Sequence, residues 1–433
     1  MTTQEKPADP VTHDMLERWA TDDQGPVALH LRQALLPVEA VSGNGGIVFP
    51  PTYADIGYNI DTLADGTKVA TIDSVGSQAN RMEPLFRAGG PLADLVPQIT
   101  IEINNGSKVS IFDLPHRAAD ATVQSSPGLA ALATTAFQEL KKGNAVPLCV
   151  LAPTSLLFGV WDSRGGTGEK RPRLMRSLIR AWGVEVLHAA AQFNSVWKKL
   201  NENQQADLKK EANNKKVELS GKGLQDAPAT FRKTKIPLYR DGAPNPDARV
   251  LGGVLVKSDG RIEREIVINL LALRGLRAAG QHSEESNQLR RYLLGLALLA
   301  GTQDMDLFLR EGCLLRYASN DVEDWYALPR RGNPQPVRFS GAREAILKFT
   351  TSALKHFALR WPEFFGAKDG NNGKWPTKID RDQWSRILEQ KWPEAGQSNY
   401  TGEWPEFEYR FEVSEAKKLL AKKGEEEEAG GEK

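Results

Sequence analysis

Thiols are scarce in this chain: Cys149 and Cys313 are the only cysteines in 433 residues. Both lie in apolar runs and read as small buried residues. A disulfide framework and a four-thiolate metal site are therefore excluded, and a reducing compartment, the cytoplasm, is the expected location. Histidine is almost as sparse. The six (His13, His30, His116, His188, His282, His356) are scattered, with no HExxH and no local carboxylate cluster, so no metal or other cofactor is expected. No G-x-S-x-G elbow occurs. The stretch Gly165–Arg171 (GGTGEKR) fails as a phosphate-binding loop, because Glu169 separates Gly168 from Lys170 and no Ser or Thr follows the lysine. The turn Gly43–Gly46 lacks the spacing of a dinucleotide fingerprint. MTTQEKPADP at the N-terminus has no apolar core of a secretory signal. The longest uncharged stretch is broken by Pro147 and Pro153 and is too short for a bilayer, so no membrane is expected. Net charge is also nearly absent, at +1. A polyanion would have to be held by local charge, since the molecule as a whole provides almost no steering. The aromatic signature of ordinary RNA-recognition motifs is missing, and Phe158-Gly159-Val160-Trp161 imitates only part of it.

What is present describes a globular chain with a sizeable core, 40% apolar and 26% charged. Helices are expected at His13–Ala20 and Val27–Leu36, then strand-like segments at Ile47–Phe49, near Tyr58 and at Val69–Ile72. Ile99–Ile103 and Lys108–Phe112 alternate about Asn104–Asn105–Gly106, a hairpin signal. Leu129–Leu140 reads as a helix stopped by Lys141, Lys142 and Gly143. Val146–Trp161 reads as a buried strand and the segment from Arg176 as a short helix. Lys198–Gly223 is a solvated helix or insertion, and Ile236–Arg249 is loop. A second hairpin is expected from Val250–Val256 and Ile262–Leu271 about Ser258–Asp259–Gly260. Leu289–Leu299 and Ala342–Leu359 are helices, and Leu307–Tyr317 is a strand. Interleaved strands and helices give an α+β fold class. The expected organisation is an N-terminal helical segment (1–46) and a palm with insertions (47–330) that carries a basic loop (162–175) and a charged insertion (198–249). A C-terminal helical extension (331–422) and a disordered acidic tail (423–433) follow.

Three constellations carry chemistry. After the apolar run, Asp162, Ser163 and Arg164 lead into Gly165, Gly166 and Gly168. Lys170, Arg171, Arg173, Arg176 and Arg180 then follow, with only Glu169 against them. Such a cluster suits a nucleic-acid backbone, and the alternative is a solvated hairpin tip. Ser74-Val75-Gly76-Ser77-Gln78-Ala79-Asn80-Arg81 places hydroxyls, an amide and an arginine at a helix start, which is either a phosphate site or an ordinary N-cap. His116-Arg117 is either a further backbone contact or a surface pair.

IDSVGSQANRMEPLF, LPHRAADA, LAPTSLLFGVWDSRG and PRLMRSLIRAWGV stand in this order between Ile47 and Leu315. The ordered set resembles the RAMP-superfamily backbone subunit of type I-G (formerly I-U) CRISPR effector complexes (Cascade). The resemblance implies a modified RNA-recognition-motif (ferredoxin-like) palm with finger- and thumb-like insertions. It implies that several copies stack head to tail along the crRNA spacer, with no catalysis by the subunit itself. The implied partners are the crRNA, target DNA through the crRNA, neighbouring copies of the same chain, other effector subunits and a recruited helicase-nuclease. The family's backbone-holding helix start falls on Ser77, Gln78, Asn80 and Arg81. Arg164, Lys170, Arg171 and Arg173 become an RNA clamp continued by Arg176 and Arg180, with His116 and Arg117 as further contacts. The alternative is a RAMP-type endoribonuclease cutting through a loop aspartate, Asp162 or Asp120. Which insertion is the thumb stays open.

Overall fold

The computed structural model describes residues 9–40, 45–53, 56–162, 168, 170–188, 196–217, 219, 224, 239–240, 243–244, 251–280, 283–318, 324–366, 384–386, 388–389 and 406–419. Arg164, half of the charged insertion (198–249) and the tail beyond 423 lie outside the described residues.

The fold is α+β, of the RNA-recognition-motif-like kind with insertions, and is organised on an eleven-stranded sheet. Five of its strands frame the site: β1 (Ala28–Pro37), β2 (Lys68–Asp73), β3 (Met175–His188), β4 (Leu251–Asn269) and β5 (Asp324–Leu328). They lie in the order β5–β1–β4–β3–β2, each antiparallel to its neighbour. Gln335–Arg338 extends the sheet beyond β5, and Ile60–Thr62 extends it beyond β2.

Side chains alternate across a pleated strand, so each strand divides its residues between two faces. Leu29, Leu31, Gln33 and Leu35 of β1 are buried, as are Met175, Ser177, Ile179 and Ala181 of β3 and Ile262, Arg264, Ile266 and Ile268 of β4. Three helices lie on this inner side: α1 (Val75–Met82), α2 (Ser283–Gly301) and α3 (Arg343–Ala358). α2 and α3 cross closely at Gly295, where a Cβ would stand 2.1 Å from Thr350 Oγ1. The partners that alternate with the buried set (His30 and Arg32, Arg176, Leu178, Arg180 and Trp182, Glu265 and Val267) are exposed or half-exposed. Among the described residues the helices therefore leave the other face of the sheet open.

The inner face is not uniformly apolar. Leu29, Leu31, Met175, Ile266 and Ile268 join the helical core, while Leu35, Ile179, Ala181 and Ile262 join a second cluster with Leu307, Leu309, Cys313 and Leu315. Between the two clusters runs a polar seam one residue wide on each strand, Gln33–Arg264–Ser177. Arg264 is fully buried and donates to Gln33 Oε1 (3.0 Å), Ser177 Oγ (3.3 Å) and Gln78 Oε1 (3.3 Å), with Met305 Sδ at 3.1 Å. A charge held without water requires such partners, because an uncompensated buried ion is strongly destabilising.

Several elements differ from the sequence expectation. Val27–Leu36 is strand β1, not a helix, so residues 1–46 are not a separate helical segment but supply a central strand. Leu29, Leu31, Gln33 and Leu35, at every second position, are buried, and burial on one sheet face decides the structure. Val146–Trp161 is not a strand. It forms two short buried helices, Val146–Leu151 and Pro153–Phe158, with proline in the first turn of each, and then the short strand Val160–Trp161. A proline there costs no hydrogen bond, and a short apolar run is ambiguous by periodicity alone. Arg176 and Arg180 lie on strand β3, not on a helix. The hairpin expected about Ser258–Asp259–Gly260 is a bulge within the single strand β4: Trp182 pairs with Arg261 and Val184 with Val256. Leu307–Tyr317 is a hairpin, Phe308–Arg310 against Cys313–Tyr317, turning at Gly312 with φ +71°. The C-terminal third adds Gln335–Arg338 to the sheet and Glu406–Arg410 in parallel to Gln98–Asn104, so it interleaves with the body. The Asn104–Gly106 hairpin and the helices Pro127–Lys141, Ser283–Gly301 and Arg343–Ala358 are where the sequence places them.

Candidate nucleic-acid interface

The helix start after β2 is built around Asp73, whose carboxylate is fully buried. Ser74 caps α1, its Oγ accepting from Ser77 N at 3.3 Å. Ser77 Oγ donates to Asp73 Oδ1 (2.8 Å), Gln78 Nε2 to Oδ2 (2.7 Å), Arg81 Nε to Oδ2 (3.0 Å) and Arg310 Nη2 to Oδ1 (3.1 Å). Gln78 Oε1 accepts from Ser177 Oγ at 2.7 Å, which links the helix start to the seam under β3. Arg81 Nη2 also donates to Leu309 O at 2.6 Å. Ser77, Gln78 and Arg81 thus turn inward, and Asn80 alone of the four is exposed.

His116 is exposed, while Arg117 is buried in a left-handed backbone conformation with φ +55°. Arg117 Nε stands 2.8 Å from Glu83 Oε2, its Nη1 reaches Gly159 O at 3.4 Å, and the guanidinium lies 5.6 Å from the Phe158 ring centre. Burial pushes the Glu83 carboxyl up to about 7 against the pull of Arg117. Asp162 and Asp120 are buried as well, and Asp120 accepts from Thr122 N at 2.9 Å and from His116 N at 3.3 Å.

At the root of the basic loop, Val160–Trp161 pairs antiparallel with Lys170–Arg171. Lys170 Nζ lies 5.4 Å from the ring centre of Trp161, which is exposed. Arg171 Nη2 donates to Leu140 O at 3.1 Å, and Arg173 is exposed.

The open sheet face collects the remaining cations. Arg176, Leu178, Arg180 and Trp182 stand in a row on β3, and His30 and Arg32 stand on β1. Between these strands, β4 presents Arg261, Glu263, Glu265 and Val267. Arg32 Nη2 pairs with Glu263 Oε1 at 2.7 Å, Arg261 Nε with Glu263 Oε2 at 3.1 Å, and Arg180 Nη2 with Glu265 Oε2. On these three strands four guanidiniums thus face Glu263 and Glu265, while on the flanking strands Asp324 stands opposite Arg32 and Asp61 opposite Val69, the cross-strand neighbour of Trp182. Arg176 is exposed and has no ion-pair partner among the described residues. A shallow depression of about 270 Å³ is lined by His30, Arg176, Leu178, Arg180, Glu265 and Val267. Burial holds the His30 imidazole below its usual value; Glu265 pulls it up, and Arg32 and Arg176 push it down. The guanidiniums of Arg180 and Arg261 lie 5.2 and 4.6 Å from the Trp182 ring centre.

The structure therefore divides the sequence candidates. Ser77, Gln78 and Arg81 form one buried hub, and Arg117 forms a buried pair. Asn80, His116, Lys170, Arg173, Arg176 and Arg180 reach the surface to different extents. His30, Arg32, Trp182 and Arg261 join Arg176 and Arg180 on the open face and escape the motif reading. Their signal is the period-two alternation in ALHLRQAL, MRSLIRAW and RIEREIVI, which only a strand assignment exposes. Among the described residues no three His, Cys, Asp or Glu side chains are grouped so as to hold a metal ion, and no helix is long and apolar enough to cross a membrane.

Residues 29–186, less than half of the chain, match the model of a family described as CRISPR-associated protein GSU0053. No curated protein matches the chain. The matched span runs from β1 to β3 and contains Asp73 with its helix start, Arg117, and the row from Arg176 to Trp182. The similarity supports a role among the CRISPR-associated proteins.

Proposed function

We propose that this chain is a non-catalytic guide-RNA-binding backbone subunit of a CRISPR interference complex. In this reading it stacks head to tail along the crRNA spacer in the cytoplasm and presents the spacer to target DNA beside the other effector subunits. The observation that carries the reading is the open sheet face, where Arg32, Arg176, Arg180 and Arg261 of the three central strands outnumber Glu263 and Glu265 within a chain of net charge +1. Local positive charge on an otherwise balanced molecule suits a polyanion bound through its backbone, which is how a subunit accepts any guide sequence. The type I-G resemblance supplies the particular complex. The Asp73 hub then acts by positioning: it fixes α1 against β3, so that the row from Arg176 to Trp182 is held from beneath.

Native mass spectrometry of the full chain with guides of progressively longer spacer tests the proposal. A phosphate-reading subunit meets the same contacts at each step, so copies of 47.7 kDa should add stepwise as the spacer grows, with every RNA and DNA strand intact in magnesium or manganese. One constant stoichiometry at all lengths overturns the scaffold. Strand cleavage that Asp162→Ala abolishes without unfolding the protein establishes the nuclease instead.

A further inference from the structure

The geometry points to a nucleobase-stacking platform on the open face of the sheet, formed by Trp182 with the guanidiniums of Arg180 and Arg261, so that the subunit grips a base as well as phosphates. This rests on the RNA-binding reading above and gives that site a second chemistry.

Trp182 is displayed by an unusual piece of backbone. Opposite Gly183 alone, β4 carries four residues, Lys257 to Gly260, between the pairs Trp182–Arg261 and Val184–Val256. Gly183 has φ +69°, and its Cβ would stand 3.1 Å from Gly260 Cα. A Cβ on Gly260 would stand 2.5 Å from Trp182 O. The two main chains are therefore in contact with no side chain between them, and a bulge of this kind re-aims the residue beside it. What it presents is an indole with a guanidinium at 5.2 Å and another at 4.6 Å from the ring centre. Glu265 holds Arg180 and Glu263 holds Arg261 at 3.1 Å, so both cations are fixed before any ligand arrives. Their side chains are still 36% and 49% exposed, which leaves guanidinium surface for a ligand.

Cationic and partly exposed, the indole with its two guanidiniums offers what unpaired bases stack on, namely aromatic rings and arginine planes. Its position fits the same ligand. Arg176, Leu178, Arg180 and Trp182 are alternate residues on one strand, so successive members stand about 6.7 Å apart. That is close to the pitch of successive nucleotides in an extended single strand. Phosphates over Arg176 and Arg180 therefore bring a base to Trp182 without distorting the chain. Stacking is tolerant of base identity, as a subunit serving arbitrary guides requires.

The test compares a fluorescent twelve-nucleotide oligo(A) RNA with inorganic polyphosphate of similar charge, which has no bases, on the full chain. Trp182→Leu should weaken oligo(A) binding roughly tenfold, and Trp182→Phe should restore most of it. Polyphosphate affinity should be the same in all three proteins. If Trp182→Leu leaves oligo(A) binding unchanged while Arg176→Gln weakens it, the platform is refuted and the RNA reading stands. Equal losses for oligo(A) and polyphosphate in Trp182→Leu would show a structural effect and also refute the platform. Failure of the unaltered chain to bind oligo(A) at all overturns both.

Discussion

Arg117→Met tests the buried pair at the foot of the basic loop. Glu83 is 1% exposed, and its carboxyl is pushed from 4.5 up to about 7 even with Arg117 Nε at 2.8 Å. That displacement is worth about 3 kcal/mol at 1.36 kcal/mol per pH unit. Its sign is fixed by linkage. Folded Glu83 holds its proton more tightly than the unfolded chain does, so the contribution is fully present below pH 4.5 and is lost as pH rises through about 7. Removing Arg117 lifts the carboxyl further, so at pH 8 Glu83 takes up a proton instead of staying ionised, a pH-dependent loss of about 1.4 kcal/mol for one unit above 7 on top of the lost contacts. At pH 5 the carboxyl is neutral in both folded proteins. Only the contacts to Gly159 O and Phe158 are then forfeited, about 1 kcal/mol. Urea unfolding of both proteins at pH 5 and pH 8 measures the difference directly. In a Glu83→Gln background the same substitution should lose its pH dependence. An Arg117→Met penalty of equal size at the two pH values would refute the coupling. The same variant should leave RNA affinity nearly intact, since the guanidinium faces the core.

Replacing Arg176 or Arg180 by Gln should weaken binding to all RNA sequences alike and flatten the log–log salt dependence by about 0.7 per lost phosphate contact, read by anisotropy titrations from low to high salt. RNA affinity should rise as pH falls from 8 to 6: a bound phosphate favours imidazolium at His30, whose protonation Arg32 and Arg176 oppose in the free protein. His30→Gln should remove this dependence, which amounts to about tenfold at most if binding raises the imidazole by one unit. Gly260→Ala should lower the thermal midpoint, because its Cβ meets main-chain oxygens at 2.5 and 3.1 Å, an overpacking cost of about 1–3 kcal/mol.

Much of this molecule is legible before folding, and what is not has identifiable causes. The strand-to-helix turn at Ser74 is readable because capping chemistry is local. The Asn104–Gly106 hairpin is readable because φ +46° at Asn105 and +84° at Gly106 are conformations those residues favour. Val146–Trp161 misleads because a helix buried on all sides has no polar stripe to mark its period. The basic residues are visible as a cluster, yet their division is not: Arg117 and Arg81 answer carboxylates distant in sequence or hidden in the core, while Arg176 finds none among the described residues. Trp182 is unremarked in sequence because its value arises from Arg261, 79 residues later, brought beside it by the β3–β4 pairing.

The seam beneath the sheet has a further consequence, for indexing. An apolar face of period two looks the same after a shift of two residues: Leu29, Leu31 and Leu35 would meet Ile262, Ile266 and Ile268 almost as well one notch along. In the native register Arg264 stands opposite Gln33. A slip of two residues puts it opposite Leu31 or Leu35, with Gln33 left against isoleucine. Each such placement strands polar groups in hydrocarbon, about 1–3 kcal/mol apiece and more for the guanidinium. The arginine thus works as a key tooth among blank ones, and a nineteen-residue strand with many near-equivalent alignments has one that closes. Because every strand carries both faces, the alignment chosen in the dark interior is the alignment displayed outside. The spacing of Arg32, Arg261, Arg180 and Trp182 is therefore set by residues that never meet solvent.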